Sequence, residues 1–85
     1  VVLDPPLLIV EISSPEDRLV DTLRRFREYE ELGVRHIIQM DPEDRTTYRF
    51  VKGDLVRSND LTNIETRHGL IPFHARELLA RLNEE

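Results

Sequence analysis

The 85-residue chain has no cysteine, only three glycines, no hydrophobic run of membrane-spanning length and an excess of acid over base. Without cysteine there is no disulfide scaffold, no thiolate metal centre and no thiol nucleophile. The glycines, at 33, 53 and 69, stand too far apart to form a phosphate-cradling loop, which argues against a nucleotide cofactor. A membrane helix needs about 20 consecutive apolar residues, and the longest run is much shorter. The expectation is a soluble, cytoplasmic protein. Twelve Lys and Arg against 17 Asp and Glu give a net charge of −5, unlike a nucleic-acid coat protein, although a cleft that holds divalent cations must itself be acidic. No repeat, low-complexity tract or linker divides the chain, so residues 1–85 read as one small domain. A domain of this size buries only about 60% of its unfolded surface, so a partner chain is expected. The chain opens on Val1 without an initiator methionine, as a processed product or an excised piece of a longer protein would.

What is present starts with Pro6-Leu7-Leu8-Ile9-Val10-Glu11-Ile12-Ser13. A continuous apolar run bounded by prolines predicts a strand buried on both faces, as in the middle of a parallel sheet. Glu11 is the exception in that run. A carboxylate near the exit of such a strand must find a cation or donors, or sit at a mouth that ligands reach, and the carboxyl ends of parallel strands are where ligands bind. Pairing to an arginine at the sheet edge is the alternative, and the strand alone leaves both open.

Ser14-Pro15-Glu16-Asp17 carries an N-cap serine, a first-turn proline and an acid three residues on, which predicts a helix over Glu16–Leu32. Leu19, Leu23 and Phe26 form its apolar stripe, Tyr29 lies on the flank, and Gly33 is its C-terminal cap. Val34–Met40 predicts a second strand, parallel to the first through a right-handed crossover. After the Asp41-Pro42 turn, the alternation of Thr46–Val51 predicts an antiparallel partner. Beyond a turn at Gly53-Asp54, Leu55-Val56-Arg57 and Ile64-Glu65-Thr66 read as short strands. Phe73, Leu78, Leu79 and Leu82 then mark a helix over about His74–Asn83. The fold class is therefore α/β, a mixed sheet with a parallel strand-helix-strand crossover, then antiparallel strands and a C-terminal helix.

Other candidate sites are weak. His36, His68 and His74 lack metal-ligand spacing, and Ser13 and Ser14 lack a nucleophile elbow. Arg18, Arg24, Arg25 and Arg27 crowd one segment, where a solvated mixed-charge face is the ordinary reading.

The order Pro-Leu-Leu-Ile-Val-Glu-Ile-Ser-Ser-Pro, Asp21, a basic residue at 25, Tyr29, Gly33-Val34 and Met40-Asp41-Pro42 resembles the Uma-type restriction endonucleases, a group within the PD-(D/E)XK nuclease superfamily. The resemblance runs from Pro6 to about Phe50. It implies that the chain matches the C-terminal part of such a nuclease domain and acts on nucleic acid, with DNA favoured over RNA but the choice left open, as a magnesium-dependent endonuclease. By that resemblance Glu11 is the metal-binding glutamate, Asp21 the acidic position at the start of the helix, and Arg25 stands where the family carries its lysine. The catalytic set implied is thus Glu11, Asp21 and Arg25, with Glu11 on the metal.

Two departures follow. The family's other metal-binding aspartate precedes the apolar strand, where this chain has only Asp4 in Leu-Asp-Pro-Pro, a different context. Arg25 stays protonated at neutral pH, so it can orient water or clamp a phosphate but cannot act as a general base; as a plain surface residue it would pair with Asp21 at i+4. Two readings result: a nuclease with an incomplete site in this chain, or an inactive nuclease-fold module for protein interaction or regulation. With the segment the family places before Pro6 absent, the first strand needs another cover, and a homo-oligomer is expected.

Overall fold

A computed structural model describes residues 6–83. Its elements are β1 (Leu8–Ile12), α1 (Leu19–Glu31), β2 (His36–Asp41), β3 (Thr46–Val51), β4 (Asp54–Arg57), β5 (Asn63–Thr66), β6 (Gly69–Pro72) and α2 (Ala75–Leu82). The first four strands form one sheet in the order β1-β2-β3-β4, and β5 and β6 form a separate hairpin. β1 and β2 are parallel, with Glu11 aligned on Gln39; β2–β3 and β3–β4 are antiparallel. This is the mixed α/β architecture expected from the sequence, consistent with a restriction-endonuclease-like fold. No helix among the described residues is long and apolar enough to cross a membrane.

Strand alternation gives the sheet two apolar faces. On one, Phe26 of α1 packs with Val34, Ile37 and Phe50, joined by Ile9, Leu23, Tyr29 and Leu55. On the other, Ile38 and Met40 meet Ile64, Phe73, Ala75 and Leu79 of the hairpin and α2, joined by Leu8, Leu61, Ile71 and Leu78. Lys52 and Gly53 both have positive φ, the mirror-image two-residue turn whose twist suits the β3–β4 hairpin.

Three expectations are corrected. β1 is not buried on both faces: among the described residues its only strand partner is β2, and it forms the sheet edge. Leu8 reaches the core under α2, but Val10 is 38% and Ile12 50% exposed, because the cover from the hairpin and α2 does not extend along the strand. The serine-proline pattern does not cap α1. The Ser14 N–H donates to Asp17 Oδ2 at 2.8 Å and the Asp17 N–H to the Ser14 carbonyl at 3.0 Å, which closes a separate turn. Arg18 then returns to extended geometry, and the helix begins at Leu19 with no side-chain cap. Last, β6 has no counterpart in the sequence reading. Its four residues start on Gly69, at φ 111°, and end on Pro72, so neither end carries a strand signal. The other end of α1 is as expected: Gly33, at φ 97°, donates to the Glu30 carbonyl, and Val34 to that of Tyr29.

Candidate active site

The sheet's α1 face changes character along the strands. Ile37, Phe50 and Leu55 lie under the helix, whereas one pleat nearer the carboxyl ends of β1 and β2 the aligned residues are Glu11, Gln39, Tyr48 and Arg57, a polar row crossing all four strands. The first member of that row is held by α1. Arg25 Nε donates to Glu11 Oε1 at 3.0 Å and Oε2 at 2.9 Å, and Nη2 to Oε2 at 2.6 Å. The Tyr29 hydroxyl donates to Oε1 at 2.9 Å. Positions 25 and 29 are one helical turn apart and therefore face the same carboxylate. Phe26, fully buried between them in sequence, locks the helix onto the sheet: its ring meets Phe50 edge-on at 5.6 Å and stacks on Tyr29 at 6.2 Å.

The electrostatics follow from this fork. The hydrogen bonds to Glu11 push the Arg25 guanidinium further above its ordinary range, against a smaller opposing effect of burial. They also raise the Tyr29 phenol, which burial raises further, so Tyr29 stays a donor. The pair remains part exposed, with 39% of the Arg25 side chain and 23% of that of Glu11 accessible.

Of the residues singled out in the sequence, Glu11 and Arg25 are brought together, and Asp21 is not. Asp21 is exposed and lies 3.8 Å from Arg24, a contact of the kind that contributes little. Asp4 lies outside the described residues. Gln39 and Tyr48 were missed. Gln39 is the polar interruption in His36-Ile37-Ile38-Gln39-Met40, a visible signal, but only the strand register sets it beside Glu11. Next to this row opens a cavity of about 570 Å³, lined by Ser13, Asp17, Leu23, Gln39, Asp41 and Tyr48 among others. It occupies the carboxyl end of the parallel pair, where open α/β sheets place ligands.

The Uma2 family, described as "Putative restriction endonuclease", matches residues 2–75. The chain belongs to that family. No curated protein matches it. Uma2 membership points to nuclease chemistry, nucleic acid as partner and a divalent metal as the expected cofactor. The side chains test that last expectation. A magnesium ion takes one or two carboxylates together with waters and phosphate oxygens. Glu11 is the right type of ligand, but Arg25 and Tyr29 already bond both of its oxygens, and no group of three or more His, Cys, Asp or Glu among the described residues could hold a metal. By themselves and as arranged, the described residues supply one suitable carboxylate, already engaged, and do not complete a site for the ion.

Proposed function

We propose that this Uma2 chain is part of an endonuclease that hydrolyses phosphodiester bonds in DNA, with Glu11 as the magnesium ligand and Arg25 and Asp21 as the accompanying functional residues. The reading rests above all on Glu11, a carboxylate held by Arg25 and Tyr29 at the carboxyl end of a parallel strand pair, in a row whose next members, Gln39 and Tyr48, line an open cavity. The metal's remaining ligands are not among the described residues. What these side chains contribute directly is orientation. Arg25 is a planar, permanently charged fork suited to a phosphate's two oxygens, Tyr29 fixes Glu11 from the other side, and Asp21 adds negative charge at the start of α1.

The test is magnesium-dependent cleavage of plasmid DNA, with variants at position 25. Arg25→Lys is expected to keep or raise activity, since lysine retains the charge while releasing one Glu11 oxygen. Arg25→Ala is expected to lower it by about tenfold or more, the scale of one lost charge-assisted hydrogen bond. Equal rates for all three proteins would remove Arg25 from the reading. The bidentate capture of Glu11 by Arg25 favours the second reading, an inactive nuclease-fold module. That reading expects no cleavage by any of the three and no effect of magnesium on the Glu11 carboxyl resonance.

Self-association belongs to the same proposal. β1 is an edge with two exposed apolar side chains on one face, Val10 and Ile12, and an open edge of this kind pairs with a second strand unless blocked. Sedimentation should show a dimer that Ile12→Lys converts to a folded monomer. A wild-type monomer at high concentration would refute it.

A further inference from the structure

Away from the Glu11 row, at the amino end of the same parallel pair, lies a second cavity of about 500 Å³ whose lining includes Gly33, Arg35, His36, Glu65, Arg67 and His68. His36 is the register partner of Leu8, as Gln39 is of Glu11. Three residues separate the two positions, about 10 Å along the strand, and the odd spacing turns their side chains to opposite faces.

The charge here runs against the composition of the chain. The net charge is −5, and the cavity beside Gln39 and Tyr48 is lined by Asp17, Asp41 and Asp54, yet this one gathers two guanidiniums and two imidazoles against the single carboxylate of Glu65. A third guanidinium, Arg49 of β3, stands close enough to act on His36. These groups come from three separate stretches of the chain, Arg35-His36 at the start of β2, Arg49 of β3 and the Arg67-His68 turn of the hairpin, which the fold brings together. Arg35, Arg49 and Arg67, like Arg18, Arg27, Arg45 and Arg57, form no ion pair among the described residues, so no carboxylate neutralises the guanidiniums gathered here. Burial, and then the charges of Arg49 and Arg35, hold His36 below the usual imidazole range. The groups facing it are Arg35, Arg49, Arg67, His68 and Glu65, so a bound anion would relieve an existing repulsion.

We infer that the Arg35–His36–Arg67–His68 cavity is a metal-independent binding site for a phosphate group. A carboxylate offers its two oxygens in one plane, whereas the tetrahedral oxygens of a phosphate, free or in a nucleic-acid backbone, can be met by guanidinium and imidazole donors arriving from different directions. The source is either a free phosphate or the backbone of a nucleic acid; the cavity's chemistry is the same for both. The site goes beyond the nuclease proposal and does not depend on it.

The experiment follows the His36 and His68 imidazole resonances of the full chain by NMR, in a chelator, as inorganic phosphate, pyrophosphate, and then a short DNA as single strand and as duplex are added. Saturable shifts at both histidines are expected, together with a rise in the His36 imidazole pKa, because the anion stabilises the protonated ring. Binding of the DNA, whose diester charge does not change in this range, should therefore tighten as pH falls from 7 to 6. Arg35→Glu and Arg67→Glu, both at exposed positions, should each weaken binding by about tenfold or more, the scale of a lost hydrogen bond between charged groups. DNA binding tighter than inorganic phosphate, with a steep salt dependence, identifies the backbone as the source; comparable binding identifies a free phosphate. Absence of a saturable shift with all four probes overturns the inference, as do shifts of undiminished affinity in the two charge-reversal variants. Glu11→Gln should bind phosphate here as the wild type does, so loss of cleavage and loss of this site are separable results.

Discussion

Replacing Glu11 with glutamine is expected to lower DNA cleavage by about 100-fold or more, the scale of losing one electrostatic group at a reacting centre, and to leave the fold in place. The amide is nearly isosteric, and its oxygen still accepts from Tyr29 or Arg25. What it lacks is charge. It offers a cation no anionic ligand, and its NH₂ presents a donor to the donor fork of Arg25, so one arm of the bidentate contact to the Arg25 guanidinium is lost. The stability cost should be small, about 1 kcal/mol, because the pair is part exposed and solvent screens it. Cleavage assays beside thermal melts would separate the two effects. A Glu11→Gln protein that cleaves at the wild-type rate would end the assignment of Glu11, and one that fails to fold would make the Arg25 pairing its main role.

Phe26→Ala is expected to have the largest effect on stability. The ring is fully buried and meets Phe50 and Tyr29, so truncation leaves a void where α1 meets the sheet. Phe→Ala changes at such sites cost about 3–5 kcal/mol, and domains of this size carry about 4–13 kcal/mol in all. Much of the chain's stability is at stake in one side chain. Urea denaturation should show the midpoint falling steeply, while Val20→Ala, on the exposed side of the same helix, should stay within about 0.5 kcal/mol of wild type. The site should fail with the core, because Arg25 and Tyr29 are carried on the helix that Phe26 anchors.

Much of the architecture was open to reading because it rests on local periodicity. The crossover follows from an apolar run, a helical stripe at Leu19, Leu23 and Phe26, a glycine stop and a second apolar run; β3 follows from its own alternation. What escaped depended on three-dimensional context. An apolar run reads alike in a central strand and in an edge strand covered only near its start, which is why Val10 and Ile12 were expected inside. Ser14 and Asp17 make hydrogen bonds of capping type, but no local rule says that Arg18 straightens the chain before the helix begins. At the site, Glu11 drew notice as a lone charge in an apolar strand. Its contact with Arg25 spans 14 residues, and its alignment with Gln39 and Tyr48 requires the register of three strands, which no window along the chain contains.

The edge position of β1 also bears on time. Among the described residues β2 is its sole strand partner, whereas β2 itself is paired on both sides. An element with one neighbour detaches at lower free energy than the sheet as a whole, in the manner of local opening. Glu11 rides on that strand and Arg25 on the helix, so each such excursion parts the two and leaves the remaining three-stranded meander paired. The ion pair lasts as long as β1 stays docked, and its survival is a property of the sheet's margin rather than of its core.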